Sequence, residues 1–169
     1  MEQQNFGVLA KLCVLESDTF DAVNVVAAYT KLSKTQPRSS LSLSERETLK
    51  AALSRLDARA RATLPTFQPR HVSSTLGAFA KLARIGIAPS EALLDDVAQL
   101  TQGRLSKFEP QHLSQSLWAL GSLLKPGGQE KLVGSLVYAS RGKAAEFGEL
   151  ELASTLVGLV RLRVSDRVL

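Results

Sequence analysis

Three stretches of this chain begin with phenylalanine and continue in the same helical rhythm. They are FQPRHVSSTLGAFAKL over residues 67–82, FEPQHLSQSLWALGSL over 108–123 and FGELELASTLVGLVRL over 147–162. A fourth, less regular stretch, SDTFDAVNVVAAYTKL, covers residues 17–32. Internal repetition constrains a fold more than other sequence signals do, because a unit that cannot bury its apolar face alone must bury it against its neighbours. Counted from the first residue of each stretch, offset five holds Ala22, Val72, Leu113 and Leu152, and offset nine holds Val26, Leu76, Leu117 and Leu156. Offset twelve holds Tyr29, Phe79, Leu120 and Leu159, and offset fifteen holds Leu32, Leu82, Leu123 and Leu162. Steps of four, three and three put these rows on one helix face. Any amphipathic helix gives such a stripe. The shared leading Phe goes beyond it, and so does a row of small residues at offset eleven, Ala28, Ala78, Ala119 and Gly158. Small residues beside an apolar stripe mark where a neighbouring helix comes close.

The rest of the chain supplies partner helices. Apolar spacing predicts helices over 4–15, 17–33, 44–64, 71–84, 90–103, 111–124, 129–140 and 149–163. Ser17–Asp18, Ser42 or Ser44, and Ser90 are candidate N-caps. Pro37 with its serines, Gly103, KPGG at 125–128 and Gly142 are stops. No strand or hairpin signal competes. The predicted fold is all-α, an α-solenoid of about three and a half helical-hairpin repeats in a single array. Residues 1–16 form an incomplete unit or cap and 17–66 a first repeat with a basic insertion. Residues 67–107 form the second repeat, 108–146 the third, and 147–169 the start of a fourth. The last helix still needs a partner, so the chain is expected to be a piece of a longer array.

Composition narrows the function classes. The net charge of +5 and pI near 9.6 suit an anionic partner. The excess is local: residues 34–70 carry eight Lys/Arg against three acids. The one cysteine, Cys13, excludes an intrachain disulfide and reads as a small core residue. No apolar run reaches the roughly 18 residues that span a bilayer. No phosphate loop, nucleophile elbow or zinc-protease motif occurs. The two histidines, His71 and His112, share one repeat offset; they are either a metal pair in register or helix N-terminal capping and packing residues. Asp95–Asp96 lies within a helix and reads as solvated rather than as an acid–base pair. No catalytic residue, metal or cofactor is expected.

The form F-x-P-x-x-L-x-x-x-L-W-A-L-x-x-L at 108–123, with its relative at 67–82, resembles the first helix of the octotricopeptide repeats. It is also similar to the heptatricopeptide repeats of proteins that often end in a RAP domain. The resemblance covers about residues 17–169. It implies helical hairpins and a role with RNA in mitochondria or, as second choice, chloroplasts: maturation, stability, translation, or a structural part of a divergent mitochondrial ribosome. So few repeats and no recognisable RAP segment imply neither long sequence-specific reading nor nuclease activity. The expectation is a non-enzymatic RNA-binding component of a mitochondrial ribosome or similar organellar assembly. Its partners would be ribosomal RNA and neighbouring proteins, with no membrane and no small-molecule substrate. The alternatives are a protein-binding adaptor subunit and a piece of a trans-acting RNA factor.

A second stripe, at offsets three, seven, ten and fourteen, would meet the RNA. It contains Arg70 and Gln111, then Ser74 and Gln115, then Trp118, then Lys31, Lys81 and Arg161. Polar groups would face base edges and cations would face phosphates. Trp118 either stacks on a base or fills the core. The basic helix at 44–63 adds Arg46, Lys50, Arg55, Arg59 and Arg61 for backbone phosphate contact.

Overall fold

A computed structural model describes residues 2–34, 42–87, 90–123 and 129–164. The break at Pro37, the junction at 88–89, the KPGG stop and residues 165–169 lie outside these. Eight α-helices occur among the described residues: α1 (Glu2–Glu16), α2 (Ala22–Lys34), α3 (Leu43–Thr63), α4 (Pro69–Ala83), α5 (Glu91–Gln102), α6 (Pro110–Leu123), α7 (Glu130–Gly142) and α8 (Glu149–Leu162). No strand is found among the described residues.

One local device recurs four times. Each odd-numbered helix runs into a single 3-10 turn, Ser17–Thr19, Leu64–Thr66, Leu105–Lys107 or Ala144–Glu146, and each turn ends on an extended phenylalanine. The amides of Phe20, Phe67 and Phe108 each donate to the carbonyl three residues back at 3.0 Å, and that of Phe147 does so at 3.3 Å. Phe67 and Phe108 are buried; Phe20 and Phe147 are half-buried against the core. The second residue after the phenylalanine then opens the even-numbered helix. Pro69 and Pro110 stand at the first helical position, where the missing amide costs no hydrogen bond.

This corner corrects the alignment of the first stretch. Phe20, not Ser17, is the counterpart of Phe67, Phe108 and Phe147. The Ser17–Asp18 cap is likewise replaced: Asp21 caps α2, its carboxylate accepting from the Asn24 amide at 2.8 Å. The error was three residues, about 300° of helix and so close to a full turn, which leaves the apolar stripe nearly in phase. In the corrected register offsets five, nine and twelve hold Val25, Tyr29 and Leu32, all buried. Other expected caps hold: Ser42 forms a capping box with Glu45, and Ser90 accepts from the Leu93 amide at 3.3 Å.

The helices pack as two series. α2 lies on α4, α4 on α6 and α6 on α8; α1 lies on α3, α3 on α5 and α5 on α7. The core between them includes Leu49, Leu56, Leu76, Leu93, Leu117 and Leu136. Cys13 is part of it, and burial pushes its thiol up to about 11. Tyr29 meets Phe79 edge-on at 5.1 Å and donates to Asp57, whose other oxygen accepts from the Ser90 amide at 3.4 Å. At offset eleven Gly158 lets α8 touch α6: a β-carbon there would stand 2.5 Å from the Leu117 carbonyl oxygen.

Cations at or just past the end of the next odd-numbered helix tie the first three phenylalanine corners. Arg59 Nε donates to the Phe20 carbonyl at 2.6 Å. Arg104 Nη1 donates to the Phe67 carbonyl, and its Nη2 donates to the Pro65 carbonyl at 2.9 Å. Lys143 Nζ lies 3.7 Å from Glu109 Oε2, beside Phe108. Asp95 and Asp96 also serve as ties: Asp96 pairs with Arg61 at 2.6 Å, and Asp95 accepts from Gln129 at 2.5 Å.

Candidate nucleic-acid interface

The second stripe emerges on the open side of the even-numbered helices. On α4 it is Arg70, exposed, with Ser74 and Lys81 half-buried. On α6 it is Gln111, exposed, with Gln115, Trp118 and Ser122 half-buried. On α8 Arg161 is exposed. Neighbouring rows touch. Gln115 of α6 packs over Gly77 of α4, whose β-carbon would lie 3.1 Å from Gln115 Nε2. Arg161 of α8 donates to Ser122 Oγ of α6 at 2.8 Å. At offset fourteen Ser122 and Arg161 thus meet across α6 and α8.

Lys31 is displaced from that row. In the corrected register it falls at offset eleven, and exposed Lys34 takes offset fourteen on α2. Lys34 was legible in principle, since Phe20 is the fourth corner phenylalanine, but the stretch FDA lacks the proline that marks the corners at Phe67 and Phe108. Trp118 packs against the core and keeps part of its surface open.

The basic helix α3 divides. Arg59 is half-buried and holds the Phe20 carbonyl, while Arg61 is neutralised by Asp96. Arg46, Lys50 and Arg55 are exposed, and no side-chain hydrogen bond or ion pair engages them among the described residues. Lys50 and Arg55 are five residues apart, about 140° around the helix, so they do not form one patch. The structure does not merge α3 with the stripe: α3 belongs to the odd-numbered series.

His71 and His112 are N-terminal capping residues. His71 Nδ1 accepts from the Gln68 amide at 3.2 Å, and His112 Nδ1 accepts from the Glu109 amide at 3.1 Å. Each ring also meets its own corner phenylalanine edge-on, at 5.7 and 6.1 Å. Burial holds His71 below its ordinary pKa, with help from Arg70 and opposition from Asp21. Burial also lowers His112, where Glu109 opposes and Lys143 assists. Both effects favour the neutral ring, which alone can accept at Nδ1. Among the described residues no cluster of His, Cys, Asp or Glu is placed to hold a metal, and no helix is long and apolar enough to cross a membrane. An open groove of about 820 Å³ between the end of α5 and α7, beside Tyr138, is lined by neither histidine nor cysteine.

The chain matches no family model, no curated protein and no solved structure.

Proposed function

We propose that the two helix series form an α-solenoid of four helical hairpins that binds single-stranded RNA along the open stripe of the even-numbered helices. The observation that carries this reading is the row Lys34, Lys81, Ser122 and Arg161. It presents one polar or cationic residue per helix at the same offset, and Ser122 and Arg161 touch across adjacent helices. Cations at a fixed helical offset follow a phosphate backbone, and the polar groups beside them, Ser74, Gln111 and Gln115, are suited to base edges. The open part of Trp118 adds a stacking surface. The resemblance to octotricopeptide repeats supplies the setting: a non-enzymatic structural or assembly component of a mitochondrial ribosome or similar organellar RNA–protein complex. A protein-binding role is favoured by one feature, the apolar open face of α8.

The test is fluorescence anisotropy with labelled single-stranded RNA at low salt, comparing two sets of charge reversals. Lys81→Glu with Arg161→Glu should weaken binding at least tenfold. Arg46→Glu with Lys50→Glu and Arg55→Glu should weaken it only a few-fold, because α3 lies outside the stripe. Absence of binding by the unaltered protein, or full affinity in the Lys81/Arg161 variant, would reject the stripe.

A further inference from the structure

We infer that α8 is a self-association surface, which pairs antiparallel with α8 of a second copy of this chain about a two-fold axis at Leu156. The inference does not rest on RNA binding.

Positions that other even-numbered helices bury are open on α8. Leu117 of α6 is 0% exposed, whereas its counterpart Leu156 is 61% exposed. Leu113 of α6 and Val72 of α4 are buried; their counterpart Leu152 is exposed. Val160, the counterpart of Gly121, is 76% exposed. This face points away from α6, which α8 meets through Gly158 on its opposite side. Among the described residues nothing covers it.

Three features select a second copy as the occupant. The first is charge. With the helical step of about 100° per residue, Glu149, Leu152, Leu156 and Val160 share the open face, and exposed Arg163 caps the helix just past its end, so acid stands at one end of α8 and base at the other. The second is symmetry. In an antiparallel pair centred on Leu156, Glu149 meets Arg163 of the second copy, Leu152 meets Val160, and Leu156 meets itself. The apolar centre and both charge pairs are thus self-complementary, as a two-fold contact requires. The third is the other end of the series. The side of α2 that corresponds to the Gly158 side of α8 carries exposed Asn24 and Lys31. An apolar face does not dock there, so a head-to-tail contact is disfavoured. A helix pair of about 21 Å length buries little area, so the dimer should be weak, on the order of micromolar.

Sedimentation velocity from about 1 to 500 µM (spanning that affinity) reads this directly. The mass should rise from 18.2 kDa toward twice that value. Leu156→Glu, at an exposed position that leaves the core intact, should hold it at the monomer. Glu149→Arg alone and Arg163→Glu alone should each weaken the dimer about tenfold by setting like charges against each other. The double exchange should restore it, and circular dichroism on every variant reports that the helices remain. A monomer at every concentration, a dimer indifferent to Leu156→Glu, a double exchange that fails to rescue, or growth into longer oligomers would each overturn the proposal.

Discussion

At the residue scale, the two histidines show a repeated sequence signal put to structural use. Each accepts a backbone amide at Nδ1, and protonation removes that acceptor. The folded pKa values are lowered from the ordinary 6.5, so below that pH the unfolded chain binds more protons than the folded one. The contribution is therefore complete above about pH 6.5 and is lost as pH falls through the folded values. Thermal unfolding should show the melting temperature dropping from about pH 7 to about pH 5. In the double variant His71→Gln, His112→Gln, that part of the drop should vanish, since glutamine at the same helical position can accept the amide without titrating. An equal pH slope in the variant would remove the histidines from the account. Glycine gives a second residue-scale test. Gly158→Ala sets a methyl 2.5 Å from the Leu117 carbonyl oxygen and 2.8 Å from the Trp118 nitrogen. Backbone atoms cannot step aside, so the overpacking cost of about 1–3 kcal/mol should exceed the helix-propensity gain of about 1 kcal/mol. Gly134→Ala in α7 meets no atom within 4 Å and should stabilise by up to about 1 kcal/mol. Urea denaturation of the two variants should give opposite signs.

At the element scale, helices and most caps were legible because apolar period, proline and serine act locally. The register of α2 was not. A shift of three residues keeps a stripe on nearly the same face, so burial pattern alone could not choose between Ser17 and Phe20. The choice required the 3-10 corner, a backbone device whose only sequence mark here is one phenylalanine. The ties made by Arg59, Arg104 and Asp96 were illegible for a different reason. They join residues 35 to 39 positions apart in the chain, and a surface arginine looks the same in sequence whether it holds a carbonyl or faces water. For the candidate site, the rows on α4, α6 and α8 were readable by counting, whereas the division of α3 was not. Position in the series also separates equivalent leucines. Leu117→Ala should cost about 2–5 kcal/mol by opening a cavity between α6 and α8. Leu156→Ala, one unit later but exposed, should change stability by no more than about 0.5 kcal/mol at dilute concentration. Equal losses in urea denaturation would mean that the face of α8 is covered.

At the scale of the whole molecule, the two ends of the even-numbered series differ. α2 closes its outer side with Asn24 and Lys31, while α8 leaves Leu152, Leu156 and Val160 open. Between them the stripe runs along one side of the even-numbered helices, distinct from the buried rows that hold the helices together. If the stripe binds RNA as proposed, removing its cations should change binding while leaving stability within about 0.5 kcal/mol. The most direct measurement of the central claim is the salt dependence of single-stranded RNA affinity. If Arg70, Lys34, Lys81 and Arg161 contact phosphates, the logarithm of the binding constant should fall against the logarithm of salt with a slope of about −2 to −3. Replacing Lys81 and Arg161 by glutamine should reduce that slope by about 1.4. A slope unchanged by those two substitutions, or no RNA binding at low salt, would contradict the account.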